Sequence, residues 1–180
     1  MEKHAKVVVI GAGIVGNCLV GHLSELGWTD IVQIDKGPLP YAVGSTGHAS
    51  NFIFPVDHNK EMAFLTAESQ QQYGDLGLQN VPGGIEVARD EVRLEEFRRR
   101  MTSAKAWGIE SELLTPDQVK ELVPFINEEI IIGGFYTPGV SVVDSLETGT
   151  QMRLRAQDGG NLEVFANTEA VSYTHLTLPT

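Results

Sequence analysis

Lys6-Val-Val-Val-Ile10-Gly11-Ala-Gly13-Ile14-Val15-Gly16, followed by Ile31-Val-Gln-Ile34 and Asp35, is the stretch whose reading decides the fold. Val7 to Ile10 make a short, wholly apolar strand, and Gly11 allows a sharp turn into a helix. Gly13 has no side chain to keep the backbone away from phosphate oxygens. The helix that starts there, with Ile14 and Val15 in its first turn, aims its N–H groups and positive dipole end at them. Gly16 lets the helix pack closely, and Val15, Leu19, Leu23 and Leu26 recur at helical spacing before Gly27, which predicts an apolar stripe against a sheet. Asp35, with Lys36 beside it, ends the second strand where a carboxylate can accept hydrogen bonds from an adenosine ribose. Strand, glycines, helix, strand and acid together span the roughly 30 residues of a dinucleotide-binding βαβ unit. One alternative is a buried βαβ unit with a glycine turn and no ligand. A signal peptide is the other, and it fails because three glycines and Asn17 break the apolar run and no small-residue cleavage pattern follows.

Composition fits a soluble, cytoplasmic protein: 42% hydrophobic and 21% charged residues, with no apolar stretch long enough for a bilayer. The 24 acidic and 13 basic residues leave a formal charge of -11, which argues against nucleic acid as a partner. Arg98, Arg99 and Arg100 read as a solvated helix face beside Glu95 and Glu96. The one cysteine, Cys18, excludes an internal disulfide and a cysteine metal cluster, and is expected to be a small core residue. His4, His22 and His58 lack partners at metal-ligand spacing and read as surface or structural, so no metal is expected. Neither G-x-S-x-G nor H-E-x-x-H occurs, and no catalytic acid or base is assigned.

A second constellation follows the turn-rich segment after Asp35: Gly44-Ser45-Thr46-Gly47-His48-Ala49-Ser50. Small residues and hydroxyls in such a loop can approach a phosphate or a flat ring, and the histidine offers a nucleophilic ring nitrogen. Read by itself, His48 is either that nucleophile or a partly exposed polar side chain. G-A-G-I-V-G, the acidic strand end and G-S-T-x-H-A together resemble the amino-terminal part of the dimethylglycine oxidase, sarcosine dehydrogenase and 4-methylaminobutanoate oxidase family. The likeness continues through Gly83-Gly84-Ile-Glu-Val-Ala88, Ala106-Trp107-Gly-Ile-Glu110, Leu113-Leu114-Thr-Pro116 and Gly133-Gly134 with Tyr136-Thr-Pro138. Pro138-Gly-Val-Ser-Val-Val-Asp144 departs from the family's order of glycine and acidic residue.

The resemblance implies an α/β fold: the amino-terminal part of a Rossmann-like FAD-binding domain with an inserted α+β substrate domain, truncated. It implies FAD as cofactor, covalently carried by His48 through the flavin's 8α-methyl carbon. The activity implied is oxidation of a secondary or tertiary amine, such as an N-methyl amino acid, to the demethylated amine and formaldehyde, with oxygen or an electron carrier as acceptor. Two other readings stand beside it: a noncovalent FAD oxidase of the glycine or D-amino-acid type, and a nucleotide-binding fragment without catalysis.

The domain expectation is residues 1–79 for the first FAD-binding segment, 80–142 for the start of the substrate domain and 143–170 for the return. Lys60 to Tyr73 reads as a helix with Met62, Phe64 and Leu65 apolar, and Gly84 to Ala88 as a strand. Asp90 caps a helix reaching Trp107 with Leu94, Phe97, Met101 and Ala104 on one face, and Thr115-Pro-Asp-Gln118 forms a capping box. Ile130 to Ile132 and Phe135 to Tyr136 suggest strands paired around a Gly-Gly turn or bulge. A helix is expected from Asp144 to Ala156, with Leu162 to Phe165 rejoining the first sheet. Trp107, Phe125, Phe135 and Tyr136 read as core rather than as pocket lining. Residues 171–180, VSYTHLTLPT, can be written in codons as the mosaic-end adapter of transposase-based sequencing libraries. They are expected to be translated adapter, which leaves His175 without functional weight.

Overall fold

The computed structural model describes residues 4–40, 44–57 and 59–171. His58 and residues 172–180, with the expectations placed on them, lie outside the described residues. In chain order the elements begin β1 (Val7–Ile10), α1 (Ile14–Glu25), β2 (Ile31–Ile34), β3 (Phe52–Ile53), α2 (Lys60–Asp75), β4 (Gln79–Asn80), β5 (Gly84–Ala88) and α3 (Glu91–Ala106). They continue with β6 (Glu112–Leu114), α4 (Pro116–Leu122), β7 (Gly133–Thr137), β8 (Ser141–Val143), α5 (Ser145–Asp158) and β9 (Leu162–Phe165). The chain divides into two compact units, Met1–Ser50 with Asp144–Thr180, and Asn51–Val143.

The first unit is a parallel sheet in the order β1-β2-β9. Val7 pairs with Ile31 and Ile31 with Leu162, so all three strands end together at Ile10, Ile34 and Phe165. Its core is Val9, Val20, Ile31, Ala156 and Leu162, with Leu23 packed against it. The stripe expected on α1 is corrected here. Val15 is 79% exposed and Leu19 and Leu26 are also exposed, while Asn17, Val20 and Gly21 are buried. The cause is α5, which lies against α1 closely enough that a Cβ on Gly21 would sit 3.1 Å from Met152. Small residues set that interface, and hydrophobic type alone does not reveal it. Asp144 starts α5 by accepting the Leu146 and Glu147 N–H groups, and Cys18 is only partly buried.

The second unit contains two antiparallel sheets, β3-β8-β4 and β5-β7-β6. This compact unit begins at Asn51, and within it β3 and β4 both pair with β8. The Asp90 cap and the Thr115–Gln118 capping box form as read, and Phe97 and Ala104 pack with Leu94 and Met101 against Phe135. Three expectations fail. Gly133 and Gly134 lie inside one continuous strand, β7, and neither turns the chain; a Cβ on Gly134 would come within 2.7 Å of Val119 Cγ2, so the glycine lets α4 pack on the sheet. Ile131 and Ile132 precede that strand after a short 3₁₀ turn at Glu128–Ile130. Phe125 is 92% exposed, and Met62, Phe64 and Leu65 are exposed on α2, whose buried residue is Ala63. Among the described residues no helix is long and apolar enough to cross a membrane.

Candidate functional site

The glycine turn joins β1 to α1 at the carboxyl end of the parallel sheet. Gly11 has φ +105°, in the region that favours glycine, and its N–H donates to Ile34 O at 2.8 Å. A Cβ on Gly16 would collide with Gly11 O, so the third glycine lets the helix close onto the loop itself. A Cβ on Gly13 would sit 3.0 Å from Thr46 Oγ1. The first turn of α1 itself carries no acidic residue.

Asp35 closes the turn from the neighbouring strand. Its Oδ2 accepts the Ala12 N–H at 2.7 Å and its Oδ1 the Gly37 N–H at 2.7 Å. Each oxygen keeps lone-pair capacity for a further donor. A recess of about 290 Å³ opens there, between Ile10, Gly11, Ile34, Asp35, Lys36 and the segment Thr168–Ala170. Thr168 N–H donates to Asp35 O, which holds that segment beside the strand end.

Ser45 to His48 form one 3₁₀ turn. Gly44, Ser45, Gly47, His48 and Ala49 are exposed, and Thr46 is partly buried. Thr46 anchors the turn twice. Its Oγ1 accepts the Ile14 N–H at 2.9 Å, and its carbonyl accepts the Ser145 hydroxyl at 2.8 Å. The structure thus brings Gly11, Gly13, Ile14, Gly16, Asp35 and Thr46 to one place, with Val15 pointing outward and His48 on the exposed end of the anchored turn. Sequence reasoning missed Ser145, Asn17 and Gln33. Gln33 carried a signal, being a polar residue inside an otherwise apolar strand; both it and Asn17 are buried.

This arrangement fits a dinucleotide. Glycines leave a cradle that side chains would fill, a helix terminus with no side chain at its N-cap faces it, and a carboxylate borders a recess at the strand ends.

The second unit carries a separate charged cluster, where Glu86 pairs with both Arg93 and Arg100, and Arg100 stacks over the Phe135 ring at 4.9 Å. Arg100 therefore leaves the solvated face expected of Arg98 to Arg100, whereas Arg98 stays exposed and pairs with Glu91 and Glu95. No group of three or more metal-ligating side chains occurs among the described residues.

The mouse mitochondrial pyruvate dehydrogenase phosphatase regulatory subunit is 30% identical over 89% of this chain and 19% of its own length. Human mitochondrial dimethylglycine dehydrogenase is 31% identical over 79% of the chain and 17% of its own length. Human mitochondrial sarcosine dehydrogenase is 32% identical over 93% and 19%. The chain thus spans less than a fifth of the length of each of these relatives. A glycine oxidase from Bacillus cereus ATCC 14579 shares the fold, with TM-score 0.80 at 23% identity over 93% of this chain and 47% of that one. The family described as FAD dependent oxidoreductase matches residues 6–177, nearly the whole chain and part of the 171–180 segment. On that match, and on the glycine cradle it covers, the chain belongs to the FAD dependent oxidoreductase family.

Proposed function

We propose that this chain is the dinucleotide-holding part of an enzyme that oxidises a secondary or tertiary amine of the N-methyl amino acid type, releasing the demethylated amine and formaldehyde. The observation that carries it is the Thr46 anchor, which places the small-residue loop ending in His48 at the same helix terminus as Gly13. In this reading Gly11, Gly13, Ile14, Val15 and Gly16 hold the pyrophosphate, and Asp35 with Lys36 the adenosine ribose. Gly44, Ser45, Thr46, Gly47 and Ala49 would form the approach to the flavin, and a ring nitrogen of His48 would take the place of one hydrogen on its 8α-methyl carbon, the two electrons left on the flavin passing to oxygen or an electron carrier. Bound FAD supplies acceptance of a hydride from the carbon beside the amine nitrogen, and the protein supplies orientation and electrostatics. Water hydrolyses the resulting iminium, and oxygen or an electron carrier takes the electrons onward. The names of two of the relatives support an amine substrate. The residue ranges 1–79 and 143–170 would then belong to the FAD domain and 80–142 to the substrate domain. We also propose a cytoplasmic location; the three relatives are mitochondrial by name, and subcellular fractionation decides between the two.

The experiment is denaturation in acid of the purified, FAD-loaded protein and of its His48→Ala variant. Flavin fluorescence that stays with denatured wild-type protein and leaves with the variant is the expected result. Release from both moves the assignment to a noncovalent oxidase of the glycine or D-amino-acid type, whose fold it shares. A second reading has its own support, since a relative of equal similarity is named as a regulatory subunit. FAD binding without turnover of sarcosine, dimethylglycine or 4-methylaminobutanoate would favour it.

A further inference from the structure

Gln33 stands in the middle of the apolar strand Ile31–Ile34 and is 0% exposed; Asn17, on α1, is 4% exposed. One end of the Gln33 side chain lies 3.1 Å from Gly11 O and 3.1 Å from Asn17 Oδ1. Gly11 O can only accept, so that end of Gln33 is the NH₂ group, and the Asn17 atom it meets is the amide oxygen. Asn17 Nδ2 is then left to donate to Ala12 O, at 3.0 Å. Two buried amides thus hold the two carbonyls that flank Ala12.

That arrangement fixes more than the carbonyls. In a trans peptide the C=O and the following N–H point in opposite directions, and these peptides are trans. With Gly11 O drawn inward, the Ala12 N–H must face out, and it does, reaching Asp35 Oδ2. With Ala12 O drawn inward by Asn17, the Gly13 N–H must likewise face out, toward the cradle in front of α1. The pair is costly, because Gln33 Oε1 is buried without a hydrogen-bond partner, a cost that two apolar side chains would not incur.

We infer that Asn17 and Gln33 are positioning residues for the pyrophosphate: neither touches the ligand, and together they orient the Gly13 N–H that does. This inference rests on the FAD reading and adds two residues to it. It makes the phosphate-dependent part of binding the more sensitive to Asn17 and Gln33, while the adenosine part, at Asp35, is reached only from Gln33 through the Ala12 N–H.

The test compares ADP with adenosine by isothermal titration or ligand-observed NMR, on the protein and on its Gln33→Met and Asn17→Ser variants. Methionine fills the space of glutamine without a donor. Serine is the milder change, and it keeps the experiment open if the methionine variant fails to fold. ADP affinity is expected to fall roughly 10- to 100-fold, the scale of one hydrogen bond to a charged group. Adenosine affinity falls several-fold less than ADP affinity, with Asn17→Ser leaving it within about twofold, and the double variant is scarcely worse than either single one. Equal losses for ADP and adenosine would mean a purely structural pair and overturn the inference, as would unchanged ADP binding in both variants. Wild-type protein that binds neither ADP nor FAD would sink the FAD reading itself and this inference with it, a result distinct from the other two.

Discussion

Thr46 does the work of a helix cap from another part of the chain. It lies 32 residues from Ile14, and its Oγ1 satisfies one of the first-turn N–H groups of α1, since Gly13 at the N-cap has no side chain to do so. A hydroxyl that accepts in this way retains its own hydrogen, which can be donated to a phosphate oxygen in front of the helix. Thr46→Val keeps the shape and loses both capacities, and Thr46→Ser keeps both. The valine variant is expected to lose about 1 kcal/mol of stability from the missing cap and roughly tenfold in FAD affinity, with the serine variant near wild type. Thermal melts and flavin-fluorescence titration measure the two effects separately. An equal loss in Thr46→Ser would assign the effect to the methyl group instead. At this scale Gly11, Gly13 and Asp35 were legible because what they require is local: a turn, a bare backbone, a carboxylate at a strand end. Thr46 acts on Ile14, 32 residues away, and Gln33 and Asn17 on each other, 16 apart, and no local pattern announces those partners.

Elements were legible where their ends carry their own chemistry. Asp90 and Thr115 cap α3 and α4 as their sequences require, and Leu94, Phe97, Met101 and Ala104 share the buried face, which packs with Phe135 and Leu113. The failures come where glycine sets the packing distance. Gly21 and Gly149 admit α5 to α1, which turns the apolar residues of α1 outward, and Gly134 admits α4 to β7. A sequence displays glycine most readily as a turn or bulge, and the Gly133-Gly134 pair reads as one or the other. The packing account is testable. In Gly134→Val the new side chain meets Val119, which is fully buried, and overpacking of this kind costs about 1–3 kcal/mol or more. Gly134→Val with Val119→Ala should recover part of that loss, because the second change removes the methyl groups the first one strikes. Urea unfolding of the four proteins in the cycle gives the coupling energy. Additive losses would mean that the glycine serves backbone conformation instead of the approach of α4.

For the whole molecule, two surface properties oppose each other. Among the described residues β1 pairs with β2 alone, and Val8 and Ile10 are exposed on it. Val15, Leu19 and Leu26 are exposed along α1. A free strand edge with apolar side chains, near further exposed apolar residues of the same unit, favours association between copies. Against it stands a formal charge of -11 and a pI near 4.8, which make copies repel one another at neutral pH. Repulsion between surface charges is screened within about 10 Å at 0.1 M salt and within about 3 Å at 1 M, whereas apolar contact is not weakened by salt in this way. The 180-residue chain is therefore expected to sediment mainly as a monomer at low ionic strength and neutral pH, and to associate as salt is raised or as the pH falls toward its pI. Leu19→Lys, which places a charge on the exposed face of α1 without adding a negative one, separates the two contributions. It brings the net charge closer to zero, so a charge-dominated surface would associate more readily than wild type. A surface dominated by the α1 and β1 apolar residues would associate less, and that is the result expected from analytical ultracentrifugation at about 0.5 M salt, where the Debye length is roughly half its value at 0.1 M.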